Sequence, residues 1–292
     1  MPAPNTKQSA SGGEAMQDNY FASRYKTATM ISDLHAEALV AQSGITSSEL
    51  KPLVVFDNAC GTGAVTSTLY NTLDKETLNN WKLTCGDMSQ SMLGYLQKRI
   101  VEEGWVNAEA RIIDSQDTGL ESGAFTHIFS GFAFNLFPDP QAALKECLRM
   151  LQPKGTLAIS LWKYCGWFTI TRTAIHKYLS PSLPYPGEEI LNLVDSGWPT
   201  ESGVRSYLET AGFADISTSV DVKKCRMEPE DLVDACTMIV PAIIKKFWTP
   251  EQREQYEGKV VGAVREYVNS VLGEDGKGVL EAEAIIAVAR KG

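Results

Sequence analysis

The sequence predicts an α/β fold, a seven-stranded, mostly parallel sheet flanked by helices, with an N-terminal and an inserted helical cap. Three observations carry that expectation. Between residues 52 and 162, short apolar runs with the composition of buried strands alternate with segments of helical period. A glycine-rich run, Asn58-Ala59-Cys60-Gly61-Thr62-Gly63, lies between the first such strand and the first such helix. Acidic residues, Asp57, Asp87 and Asp114, close three successive strands, the edge at which parallel sheets bind ligands.

The elements follow in order. Residues 1–17 are polar and rich in small side chains, which predicts a disordered tail without the apolar stretch of a signal peptide. Over 18–44, Phe21, Tyr25, Ile31, Leu34, Ala38 and Leu39 recur near the 3.6-residue period and Gly44 supplies a stop, so one or two preface helices are expected. Pro52 introduces Leu-Val-Val-Phe-Asp as the first strand, and a helix runs from Ala64 to Leu73. The second strand is Trp81 to Asp87, and Met92, Leu93, Leu96 and Ile100 give the next helix its apolar face. Strands at 108–114 and 125–132 precede a helix that Asp139 caps and Pro140 starts. The turn at 152–155 delivers the fifth strand, 156–162. A helix near 168–179, a proline-rich loop, a helix stopped by Gly212 and a strand at 214–222 follow. Residues 229–272 carry no strand signal, and Thr249, Pro250 and Gln252 make a capping box before a long helix. Residues 281–292 form a last strand returning to the sheet. No stretch has the composition of a linker, so 18–292 is expected to be one domain with 229–272 as a helical insertion.

Composition narrows the function. The 292 residues are 43% hydrophobic and 22% charged, and no run nears the ~18 apolar residues of a membrane span. Lys and Arg number 27 against 36 Asp and Glu, a net charge of −9 with no basic block, so neither a nucleic-acid nor a membrane partner is expected. Six cysteines show no Cys-x-x-Cys pair and no metal-ligand spacing, which predicts reduced thiols in the cytoplasm and no bound metal.

The strand ends carry the chemistry. Glycines at 61 and 63 let backbone pass close under a ligand, with the helix N-terminus facing an anionic group, while Asp57 suits the ammonium of an amino-acid-like ligand. The competing account is a tight turn without a ligand. Asp87 lies 24 residues beyond Gly63, near the ~20-residue offset at which a carboxylate accepts ribose hydroxyls, and Met88 can lie against an adenine. Asp87 could equally cap the next helix. Asp114 can accept from an adenine amine while the Ser115 amide meets a ring nitrogen; in isolation it would be a turn residue.

In this order, Asp57-Asn58-Ala59-Cys60-Gly61-Thr62-Gly63, then Gly86-Asp87-Met88-Ser89, then Asp114-Ser115-Gln116-Asp117, then the turn and strand 148–162, the chain resembles the class I S-adenosylmethionine-dependent methyltransferases from about Pro52 to Trp162. It departs from them at Ala59 and Lys154, where glycines are usual, and at Thr126-His127, where a Phe-Asp pair is common. More narrowly, 20–26 (YFASRYK), 57–67 (DNACGTGAVTS), 81–89 (WKLTCGDMS), 104–112 and 247–254 are similar to fungal thiol methyltransferases acting on dithiol diketopiperazines of the gliotoxin type. The resemblance implies a Rossmann-like fold and S-adenosyl-L-methionine, leaving as S-adenosyl-L-homocysteine, held by Tyr25, Asp57, Asn58, Ala59, Gly61, Thr62, Gly63, Asp87, Met88, Asp114, Ser115 and Ser130. It implies a small-molecule thiol acceptor, with Tyr20 and Phe21 among its aromatic cover.

The residues bear on the acceptor as well. A hydroxyl needs a base or metal, whereas a thiol of pKa ~8.5 is already a few per cent ionised near neutrality. Of the three histidines, His35 and His176 lie in helical stretches and His127 within a strand, so no catalytic base is evident and a thiol is mildly favoured. Phe132, Phe134, Phe137, Trp162 and Trp167 follow ligand-side strand ends and either line an apolar pocket or belong to the core. The alternatives are an O- or N-methyltransferase of another small metabolite and a cofactor-binding regulatory protein without turnover. Oligomeric state is not legible.

Overall fold

The computed structural model describes residues 19–47, 52–187 and 200–292, with side chains given from Met30 onward except Ile31. The tail expected over 1–17 lies outside the described residues. Seven strands, β1 (Val54–Asn58), β2 (Lys82–Asp87), β3 (Ala108–Ile112), β4 (Phe125–Gly131), β5 (Leu151–Cys165), β6 (Phe213–Met227) and β7 (Gly278–Lys291), form one sheet in the order β3-β2-β1-β4-β5-β7-β6. β1 to β5 pair in parallel, and β7 runs antiparallel between β5 and β6. The strand order reverses at β1, with β2 on one side and β4 on the other, so the crevice for a ligand lies beyond the carboxyl ends of β1 and β4.

The preface is a single helix, α1 (Asn19–Ser43). α2 (Ala64–Thr72) follows the glycine-rich loop and buries Val65, Thr66 and Leu69. A short helix, α3 (Lys75–Asn80), for which the hydrophobic pattern gives no sign, starts where the Asp74 carboxylate accepts from the Thr77 amide at 2.8 Å. Ser89 caps α4 (Gln90–Glu102), which buries Met92, Leu93 and Leu96. Asp139 caps α5 (Pro140–Met150), which buries Ala143, Leu144, Cys147 and Met150. The expected turn at 152–155 lies within β5 as an irregularity: Lys154 adopts φ 66°, and a side chain at Gly155 would come within 2.9 Å of the Gln152 carbonyl. β5 continues to Cys165 because β7 pairs with it along its other edge.

After α6 (Gly166–Tyr178) and α7 (Glu201–Ala211), which ends on Gly212 at φ 99°, the chain enters β6. Four helices then stand between β6 and β7: α8 (Pro229–Thr237), α9 (Val240–Phe247), α10 (Pro250–Tyr256) and α11 (Val260–Ser270). Leu232, Ile244, Trp248 and Val264 from them share a core with Trp167 and Phe168 of α6. Thr249 and Gln252 form the expected capping box, but the single long helix beyond it is broken by a 3-10 turn, Glu257–Lys259. α10 buries no residue, so no apolar stripe runs through Gly258 to hold the two segments in line. Among the described residues, no helix is long and apolar enough to cross a membrane.

Candidate active site beyond the ends of β1, β4 and β5

β1 delivers Asp57 and Asn58, after which the chain turns directly into α2. It does so with Ala59, Gly61 and Gly63 at φ 55°, 54° and 89°. Gly63 is required twice over, because a Cβ there would also lie 2.5 Å from Leu96 Cδ1 of α4. The loop is tied down from behind. Cys60 N–H donates to the Gly86 carbonyl (3.0 Å), Gly61 N–H to Asp87 Oδ2 (2.8 Å) and Arg99 Nη1 to the Thr62 carbonyl (2.9 Å). The Arg99 guanidinium is itself held over the Trp105 ring, 4.8 Å from its centroid.

The three acids have distinct partners. Asp57, 1% exposed, accepts on Oδ2 from the Thr66 amide (3.1 Å) and hydroxyl (2.6 Å). Burial pushes its pKa up to about 6 against those hydrogen bonds. Asp87 accepts from Gly61 N–H on one oxygen and from Ser89 N–H (2.8 Å) on the other, and burial raises its pKa despite these donors. Asp114 Oδ1 accepts from Gln116 N–H at 2.9 Å in an Asx turn. Ser115 Oγ donates to Asn58 Oδ1 at 2.7 Å, so the Asn58 side chain, buried behind the loop, links the first acid's turn to the third's.

A cleft of about 430 Å³, partly open to solvent, lies here, lined by Asp57, Ala59, Cys60 and Thr62, by Ser32, Ala36 and Leu39 of α1, and by Gly131, Phe132 and Ser160 at the ends of β4 and β5. Asp87 holds the loop from behind through the Gly61 amide, and Met88 stands 57% exposed beside Asp87. Ser130, at the end of β4, is fully buried with its hydroxyl lacking a hydrogen-bond partner. Trp162 stacks on Phe132, ring centroids 3.6 Å apart, and Trp167 meets Trp162 edge-on at 5.0 Å. Phe134 and Phe137 pack on each other in a different core, with α5 and α7. Tyr20, Phe21 and Tyr25 fall on the first turns of α1, where side chains lie outside the described residues. The loop glycines, the carboxylates at three strand ends and the orphaned Ser130 hydroxyl fit the adenosyl and amino-acid ends of the cofactor implied by the sequence resemblance.

Sequence reasoning did not find Ser32, Ala36, Leu39 or Thr66 of this site, and it offered His35 only as one base, beside His127 or a cap carboxylate, should the acceptor be oxygen. The His35 Nδ1 lies 2.7 Å from Asp221 Oδ2, and its ring meets Phe132 and Trp162 edge-on. A partner 186 positions away leaves no local signal. His127 is buried near the start of β4, where desolvation pushes its pKa down to about 4. Among the described residues, no group of three or more His, Cys, Asp or Glu could hold a metal ion.

A methyltransferase-domain family model matches residues 56–159. The chain is 44% identical to methyltransferase tpcH of Aspergillus fumigatus over 95% of this chain and 99% of that one. It is 39% identical to the acetylaranotin bis-thiomethyltransferase of Aspergillus terreus, covering 93% and 94%. At 14% identity, phosphoethanolamine N-methyltransferase 2 of Haemonchus contortus, solved with S-adenosyl-L-methionine, shares the fold over 88% of this chain and 52% of its own, with a TM-score of 0.51.

Proposed function

The chain belongs to the S-adenosylmethionine-dependent methyltransferases, and from that premise we propose that it methylates the thiols of a small dithiol metabolite of the diketopiperazine class. The observation that carries the sulfur acceptor is the 39% identity, along nearly the whole of both chains, to a relative whose name specifies bis-thiomethylation. Phe132 lines the cleft with Trp162 stacked on it and Trp167 beyond, and this aromatic side supports an apolar acceptor.

In this reading Asp87 accepts the ribose hydroxyls of the cofactor, Asp114 and Ser115 meet the adenine and Met88 lies against it. Asp57, Ala59, Gly61, Thr62 and Gly63 hold the amino-acid end, backed by Asn58, with Ser130 and Tyr25 closing the site. When bound, the cofactor supplies an electrophilic methyl on a sulfonium. The protein's own contribution is alignment and exclusion of water. Holding the reacting atoms ~3–3.5 Å apart converts an encounter into an intramolecular step. α1 and the wall of Phe132, Trp162 and Trp167 limit water at the point of attack. Tyr20 and Phe21 extend that cover, and Phe134 and Phe137 support the β4 end from the core.

A second reading, an oxygen acceptor such as a phenol, is favoured by one observation, the His35–Asp221 pair beside Phe132, which offers the base a hydroxyl requires. Incubation with isotopically labelled S-adenosyl-L-methionine and a panel of dithiols, phenols and amines separates the two. Label is expected in the dithiols. Transfer confined to phenols or amines overturns the sulfur assignment.

A further inference from the structure

His35 is fully buried, yet its surroundings differ from those of an ordinary core histidine. Its Nδ1 lies 2.7 Å from Asp221 Oδ2, so that nitrogen carries the proton and donates it, which leaves the lone pair on Nε2. Nε2 is buried without a hydrogen-bond partner. An acceptor left that way costs stability, and a purely structural histidine escapes the cost by facing a donor or water.

Neighbours of His35 line the cleft. Ser32 and Ala36, on the same helix at three residues before and one after, line it, and so does Phe132, whose ring centroid is 5.6 Å from the imidazole. Trp162, stacked on Phe132, meets the imidazole at 5.8 Å. Phe132 thus packs against the imidazole and also lines the cleft, and it holds φ 59°, a conformation that non-glycine residues adopt at a cost.

We propose that His35 is the proton acceptor of the methyl transfer, oriented by Asp221 and reached when an acceptor molecule displaces the Phe132 ring. The inference rests on the methyltransferase reading but not on the acceptor element. The acceptor's S–H or O–H bond breaks and its proton passes to Nε2. The acceptor atom's electron pair forms the bond to the methyl carbon, the carbon–sulfonium bond breaks with its pair kept by the departing sulfur, and that sulfur becomes a neutral thioether. The imidazolium, paired with Asp221, then loses its proton to water. Burial lowers the His35 pKa below its ordinary value, with Asp221 opposing and Lys223 reinforcing the shift, so the ring is neutral near pH 7 as an acceptor must be. Asp221 and Lys223 are the charged groups that bear on it, both from β6, with Lys223 Nζ 3.6 Å from Asp221 Oδ1; β4 and β5 contribute the rings of Phe132 and Trp162.

The test compares pH profiles of kcat/KM for wild type, His35→Gln and Asp221→Asn with a reduced diketopiperazine dithiol. Wild type is expected to rise below the ordinary histidine pKa of ~6.5 and stay level above it. His35→Gln is expected to move the rise to the thiol's own pKa, ~8.5, and to lower kcat/KM at pH 7 by about 10–100-fold. Asp221→Asn falls between them. A His35→Gln protein with wild-type Tm and an unshifted profile overturns the proposal. A second readout needs neither turnover nor a variant: in the complex of wild type with S-adenosyl-L-homocysteine, dithiol binding should move the His35 Nε2 nitrogen resonance toward the imidazolium value, and an unmoved resonance overturns the proposal as well. If only a phenol is methylated, the sulfur reading fails, and the same profiles taken with the phenol decide the role of His35 on their own.

Discussion

Asp57 is where burial and charge oppose each other most directly. Its pKa is raised to about 6 from an ordinary value of 3.8, so the folded state binds a proton that the unfolded chain has already released between those pH values. Stability therefore falls as pH rises through that window, by about 3 kcal/mol at pH 7. Asn at position 57 keeps an oxygen for the Thr66 donors and carries no charge. Asp57→Asn is expected to raise Tm at pH 7 without cofactor, to gain little at pH 4, and to bind S-adenosyl-L-methionine more weakly. Equal or lower stability at pH 7 would show that the carboxylate is not the strained group. Asp87→Ala is expected to weaken cofactor binding by roughly 1–3 kcal/mol, read by calorimetry, since it removes the ribose partner and frees the Gly61 amide. An unchanged affinity would remove the ribose assignment. At this scale the acids were legible because each ends an apolar run, a local signal. Thr66 was not, because an inward-turned Asp57 looks the same in sequence as one facing a ligand. Nor was Asp221, since its neighbour on the sheet edge becomes known only once β7 is seen to pass between β5 and β6.

At the scale of elements, capping chemistry was the most readable feature. Asp139, Gly212 and the Thr249–Gln252 box stand where side-chain and φ requirements placed them. What escaped were features set by tertiary partners: the extension of β5 along β7, and the break at Gly258, where a helix with no buried face loses its reason to continue. α1 makes the clearest prediction here. Its middle turns supply Ser32, Ala36 and Leu39 to the cleft, and the turns before them carry the proposed aromatic cover. Deleting residues 1–17 is expected to leave activity near wild type. Deletion through Lys26 is expected to abolish turnover while leaving the circular dichroism of the sheet intact, because it strips Tyr20, Phe21 and Tyr25 from the cover. A folded, fully active product of the longer deletion would mean that α1 is not a lid.

For the whole molecule, three apolar cores meet around one sheet: α1, α2 and α4 on one face, α5 and α7 on the other, and α6 with the helices between β6 and β7 at the end beyond β5. The parallel order of the first five strands followed from the alternation of period. The reversed β7 had no comparable signal, because an antiparallel central strand has the same buried composition as a parallel one. This arrangement brings α1, β5 and β6 together at His35, and the chemistry available there ranks the acceptors. An imidazole held below its ordinary pKa can take a proton from a thiol of pKa ~8.5 at small cost and from a phenol of pKa ~10 at greater cost. An alkanol, with a pKa near the ~16 of water, is out of reach without a metal, and among the described residues no cluster could hold one. The expected order of kcat/KM is therefore dithiol, then phenol, then the matching diol at background, with chelator changing none of the three. The monothioether formed by the first transfer should react at its own rate, since one end of it now carries a methyl into the aromatic cleft. A diol methylated as fast as its dithiol, or a rate abolished by chelator, would require a stronger base or a metal ion that the residues lining this cleft do not supply.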